Sequence, residues 1–123
     1  MIKDAMVVEI DRRNATVQTA FEGTGDNELT LTPAERRVAV TMTDGDSVIF
    51  MPPVAKCAGH FYTIHIVAFT GASLTIRCNG DDKDATLLVD GDKAAAIVLE
   101  AANEYAVLFS DGLFWHSVAY YSA

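Results

Sequence analysis

Three histidines, two cysteines and several clustered carboxylates are the side chains of this 123-residue sequence that could do chemistry. His60 and His65 lie five positions apart, which sets them on opposite faces of one extended segment. They also lack the His-x-His pair that aims two imidazoles at one metal. His116 follows Trp115 and points away from it, and no serine or cysteine in a nucleophile elbow accompanies it. Asn79-Gly80-Asp81-Asp82-Lys83-Asp84 offers oxygen ligands for a hard cation, yet it matches no EF-hand loop and reads as an acidic, solvated loop. Glu100 and Glu104, taken with Asp90 and Asp92, supply carboxylates of the type a glycosidase uses, but a chain this short has no evident insertions with which to build a cleft. Gly23-x-Gly25 has no strand-to-helix transition after it and acidic residues close by, so a loop accounts for it better than a phosphate cradle. Cys57 and Cys78 form no CxxC and have no histidine pair at zinc-finger spacing, which leaves two partly buried thiols as the plain reading. We therefore expect no catalytic residue, no metal and no cofactor.

The elements that must position these residues read as β almost throughout. No window sustains the three-and-four apolar spacing of a helix, and β-branched and aromatic residues dominate the ordered runs. Strands are expected at 6–10, 15–21, 29–31, 37–42, 47–51, 61–69, 73–78, 85–89, 96–100, 104–110 and 114–120. Asp44-Gly45, Thr70-Gly71, Asp90-Gly91 and Asp111-Gly112 each place a residue tolerant of positive φ between such runs and look like hairpin corners. Over Phe61–Phe69 the odd positions alternate with Tyr62, Ile64, Ile66 and Ala68, giving one mostly aliphatic face and one mixed face available to another subunit. Thr32 could cap a single turn at Pro33–Arg36 ahead of the strand that follows.

Length and charge narrow the class. The chain is long enough for one domain with a core of its own, half its residues are hydrophobic, and a fifth are charged. A net charge of −8 with nine scattered Lys and Arg argues against a nucleic-acid surface. MIKDAMVVEIDRR lacks the apolar core of a signal peptide, and no run approaches a membrane span, so we expect a product that stays in the cytoplasm where it is made. Residues 1–45 are polar and Thr-rich and form an N-terminal arm, a small β subdomain or strands completing the main sheet. Residues 46–123 form the main β-sandwich domain. No internal repeat at a solenoid period is visible.

From Val48 onward the order of features is distinctive. Val48-Ile49-Phe50-Met51-Pro52-Pro53 leads through a short loop to Ala58-Gly59, and then to His60-Phe61-Tyr62-Thr63-Ile64-His65-Ile66. Thr70-Gly71, Ala72-Ser73-Leu74-Thr75-Ile76, Val89-Asp90-Gly91 and Tyr105-Ala106-Val107-Leu108-Phe109 follow, and Ser110-Asp111-Gly112-x-x-Trp115 closes the series. This resembles the small β-domain of bacteriophage virion proteins: head decoration (cement) proteins, head fibres and tail fibres. The resemblance runs from Val48 to Trp115, and its closing motif is the most specific part. Met51 stands where that outline favours Leu and His60 where it favours Lys or Arg, while Cys57 and Cys78 lie outside it.

The resemblance implies an all-β, antiparallel, jelly-roll or barrel-like β-sandwich that assembles as a homotrimer. It implies a capsid decoration protein that binds the major capsid protein on the outer surface of the head shell and stabilises it, without enzymatic activity. Nucleic acid and membrane are not expected partners. The alternative it leaves open is a head-fibre, tail-fibre or spike component that binds a host receptor or polysaccharide. Phe61, Tyr62 and Trp115 are the expected packing anchors, while Met1, Ile2, Tyr120 and Tyr121 are contact candidates. Thr70-Gly71, Asp90-Gly91 and Asp111-Gly112 are the expected turns.

Overall fold

A computed structural model describes residues 18–71, 73–82 and 86–121, and among them the β-branched and aromatic runs form strands. In chain order these are β1 (Thr19–Thr24), β2 (Glu28–Thr30), β3 (Arg37–Asp44), β4 (Asp46–Phe50), β5 (Phe61–Phe69) and β6 (Ser73–Arg77). They continue with β7 (Leu87–Val89), β8 (Asp92–Lys93), β9 (Ile97–Leu99), β10 (Tyr105–Ser110) and β11 (Trp115–Tyr121). One 3-10 turn, Val54–Lys56, interrupts them. Met1, Ile2, the strand expected at 6–10 and the start of that expected at 15–21 lie outside the described residues.

The strands make two sheets, β1-β3-β5-β10-β11-β7-β8 and β2-β4-β6-β9. Their inward side chains join in one core cluster that draws on both sheets, with Val40, Tyr62, Ile64, Leu108 and Trp115 from the first and Ile49, Ile76 and Leu99 from the second. The first six strands alternate between the sheets, so the chain winds as a coil of three turns. β1 pairs with β3, β3 with β5, β2 with β4 and β4 with β6, all in parallel. The sequence reading expects antiparallel pairing; both sheets are instead mixed. The physical reason lies in the corners. Asp44-Gly45 and Thr70-Gly71 do not return the chain beside itself but carry it from one sheet to the other, so each strand's neighbour is one coil away and runs the same way. Only Asp90-Gly91 and Asp111-Gly112 close antiparallel hairpins, β7–β8 and β10–β11.

These corners stack. A Cβ on Gly45 would stand 2.9 Å from the Cα of Gly25, and one on Gly71 would stand 2.8 Å from the carbonyl oxygen of Gly45. Three successive turns of the coil thus close on a column of glycines, and at Gly45 and Gly71 there is no room for a side chain. Asn27 ties the same corner together. Its Oδ1 accepts from the Thr24 N–H at 3.1 Å and from the buried Ser47 hydroxyl at 2.6 Å, while its Nδ2 donates to the Glu22 carbonyl at 2.7 Å.

Residues 18–45 are the described part of the polar N-terminal zone. They supply β1, β2 and β3 to both sheets, and Phe21, Leu31, Val38, Val40 and Met42 to the shared core. The Thr32 turn is also present: Glu35 N–H donates to the Thr32 carbonyl, and the Glu35 carboxylate accepts from the Thr32 N–H at 2.9 Å and the Thr19 hydroxyl at 2.7 Å.

Besides a register shift that leaves Thr43 extra in β3, two β-bulges shape the larger sheet. Val40 faces Ile66 but Thr41 faces Ala68, so Val67 is an extra residue in β5. Val107 faces Ala119 but Leu108 faces Ser117, so Val118 is extra in β11. The first bulge reverses the expected alternation after Ile66: Ala68 is exposed, and Phe69 packs against the core. The two bulged valines are correspondingly 54 % and 51 % exposed.

Candidate functional site

The closing Ser110-Asp111-Gly112-x-x-Trp115 motif is fully employed in holding the fold. The buried Ser110 hydroxyl donates to the Val54 carbonyl at 2.7 Å and accepts from the Gly112 N–H at 3.1 Å. Asp111 Oδ1 accepts from the N–H groups of Leu113 and Phe114 at 2.8 and 2.7 Å, and its Oδ2 meets His116 Nε2 at 2.7 Å. Trp115 is fully buried and meets Tyr62 edge-on, ring centroids 5.2 Å apart. The Tyr62 hydroxyl donates to the Pro33 carbonyl, and burial pushes its pKa up.

Asp111 carries a pH signature. The His116 hydrogen bond first, then the two backbone N–H groups, hold its carboxyl at about 2 against an ordinary 3.8. The folded pKa lies below the unfolded one, so its contribution to stability is present above pH 3.8 and is lost as the pH falls through about 2. An NMR titration of the Asp111 carboxyl is expected to show that midpoint, and His116→Ala to move it back toward the ordinary value. An unchanged midpoint in the variant would remove His116 as the cause.

The other chemistry-bearing residues do not converge. His65 and His116 sit on the outer face of the larger sheet, in rows that end on different strands. Glu104 is buried with its carboxylate accepting the Glu100 N–H at 2.6 Å, whereas Asp90 and Asp92 belong to the β7–β8 hairpin. Asp82 Oδ2 accepts the Val54 N–H at 2.9 Å; Lys83 and Asp84 lie outside the described residues. Cys57 and Cys78 are both buried thiols, and Thr86 Oγ1 donates to the Cys78 sulfur. Among the described residues no group of three His, Cys, Asp or Glu could hold a metal ion, and no helix is long and apolar enough to cross a membrane.

What the strands do assemble is a face. Cross-strand pairing on the outer side of the larger sheet sets Phe61, Phe109 and His116 in one row, Arg37, Thr63, Val107 and Ala119 in a second, and Ala20, Ala39, His65, Tyr105 and Tyr121 in a third. Phe61 packs on Phe109 with centroids 4.8 Å apart, and Tyr105 stacks on Tyr121 at 5.9 Å. Where Ala39 leaves the surface low there is a depression of about 280 Å³ walled by Arg37, Thr63, His65 and Tyr105. A second of about 690 Å³ continues it toward Glu22, Thr41 and Val67.

The composition of this face is unusual for a solvated sheet. β5, β10 and β11 are adjacent, and none of the three contains an Asp, Glu, Lys or Arg, in a chain that is 21 % charged. An antiparallel sheet with one side in water ordinarily alternates apolar-in with polar-out. Here the outward side is aromatic and aliphatic too.

Of the expected anchors, Tyr62 and Trp115 lie in the core, while Phe61 is 56 % exposed on the outer face, where it packs on Phe109. The reason is parity, because Phe61 and Tyr62 are neighbours on one strand and cannot share a side. Tyr120 and Tyr121 separate in the same way. Tyr121 joins the outer face, while the Tyr120 hydroxyl reaches across to the Val98 carbonyl of β9 at 2.9 Å. Tyr105, Val107 and Phe109 are members of the face that sequence reasoning did not single out. The absence of charge from three strand-like runs is the signal that would have found them.

No family model, curated protein or solved structure matches the chain.

Proposed function

We propose that this chain is a structural protein of a bacteriophage virion, a head decoration protein that acts as a homotrimer on the outer surface of the shell and stabilises it without catalysis. The observation that carries the reading is the uncharged outer face of β5, β10 and β11, which suits burial against protein and has no use in water. The resemblance closing in Ser110-Asp111-Gly112-x-x-Trp115 supplies the kind of particle. Many identical small staples on a shell under outward pressure share that load by multivalency. The net charge of −8 keeps unassembled copies apart from nucleic acid and in solution. The chain is made in the host cytoplasm and ends on the capsid surface, with the major capsid protein as its partner.

The depression walled by Arg37, Thr63, His65 and Tyr105 favours a second reading, a fibre or spike module whose polar and aromatic groups hold a host polysaccharide. Mixing purified protein with shells stripped of accessory proteins separates the two. Near-stoichiometric co-sedimentation with added heat resistance of the shell is expected. A protein that ignores the shell but binds host cells would replace the decoration reading with the fibre reading.

A further inference from the structure

The geometry points to the occupant of the uncharged face: a second copy of the same chain, packed sheet against sheet through Phe61, Val107, Phe109 and Tyr121. This deepens the assembly reading above and rests on it.

Charge selects the partner. The chain holds 17 acidic and 9 basic residues, so two copies meeting through an ordinary part of the surface repel each other. The outer side of β5, β10 and β11 is where they can meet without that cost, because those strands contribute no carboxylate at all. On the neighbouring strands the face adds Arg37 on β3, Glu22 on β1 and Lys93 on β8, the last reached from His116 through Leu88. A basic or acidic partner would find only the Asp111 carboxylate, already held by His116, at the margin of the aromatic rows, whereas an identical face offers apolar surface to apolar surface.

Extent supports the same occupant. Five strands, β1-β3-β5-β10-β11, at ordinary strand spacing and six residues of length span roughly 24 by 20 Å. The projected area alone, about 480 Å², is more than half of the roughly 800 Å² per partner of a stable interface. Faces of two sheets pack at about 10 Å with interdigitating side chains, and a surface of paired rings beside low alanines has the relief for it.

Light scattering on the full chain tests this. Wild type is expected at a multiple of 13.3 kDa. Phe61→Glu and Tyr121→Glu place a carboxylate on the face at exposed positions, and they are expected to give monomers with unchanged far-ultraviolet circular dichroism. Phe61→Tyr, and Val98→Glu on β9 of the other sheet, are expected to keep the wild-type mass. A monomeric wild type, or glutamate variants that retain the wild-type mass, would overturn the inference. Shell binding, measured in parallel, separates this seam from the decoration role. Glutamate variants that stay assembled but leave the shell would make this the shell-contacting face, overturning the seam while the decoration reading stands. Glutamate variants that turn monomeric when even wild type ignores the shell would sustain the seam and sink the decoration reading.

Discussion

Trp115→Ala is expected to lower the stability of the fold by about 3–5 kcal/mol, enough to leave a domain of ordinary stability largely unfolded at moderate urea. The ring is fully buried where β10, β11 and β7 pair, since Trp115 faces Ser110 on one side and Leu87 on the other. Its edge-on contact with Tyr62 links that end of the sheet to β5. Removing it opens a cavity bounded by backbone ladders on both sides, which cannot close over it. Trp115→Phe is expected to cost less than half as much. It keeps an aromatic ring against Tyr62, and among the described residues the indole Nε1 meets no acceptor, so no hydrogen bond is lost. Urea denaturation of the three proteins checks this, and a shift below about 1 kcal/mol for the alanine variant would contradict the packing described.

Gly45→Ala is expected to cost about 2–4 kcal/mol, the sum of left-handed strain and overpacking. Gly45 has φ +55°, and its new methyl would meet the Cα of Gly25 at 2.9 Å, backbone that cannot swing aside. Gly91→Ala is the matched comparison. Gly91 also has positive φ, +83°, but a Cβ there meets nothing within 4 Å, so only the strain of about 1 kcal/mol remains. Melting temperatures that fall equally in the two variants would mean that the glycine column is not as tight as its distances imply.

Much of the strand content was legible because it rests on local chemistry. The run Phe61–Phe69 has the bounds of β5, and the Asp90-Gly91 and Asp111-Gly112 signals sit on real hairpins. What was not legible is what happens at Asp44-Gly45 and Thr70-Gly71. A residue tolerant of positive φ serves a hairpin and a corner between sheets equally well, so turn chemistry does not report which partner a strand will take. The coil left no repeat to see because its turns are unequal: Thr19 faces Val38, nineteen residues on, and Val38 faces Ile64, twenty-six on. Each turn asks only that a few inward positions be apolar. β8, two charged residues long, carries no strand signal and exists because the Asp90-Gly91 turn lays it beside β7.

The candidate face was half visible. Alternation in β5 separated an aliphatic side from a mixed one, but the mixed side acquired meaning only when β10 and β11 were placed beside it. The bulge at Val67 was hidden as well, since an extra residue is a property of two strands in register.

The coil also sets the order in which the molecule can be made. Among the described residues β1 to β6 have no partner next in sequence, so β1 and β2 cannot pair with β3 and β4 until the next turn of the coil arrives. The local hairpins, β7–β8 and β10–β11, both lie in the last third of the chain. Contacts of this separation make for slow folding, and β5 waits longest, its second edge bare from Phe69 until β10 begins at Tyr105. A chain built this way closes its middle only when its end arrives.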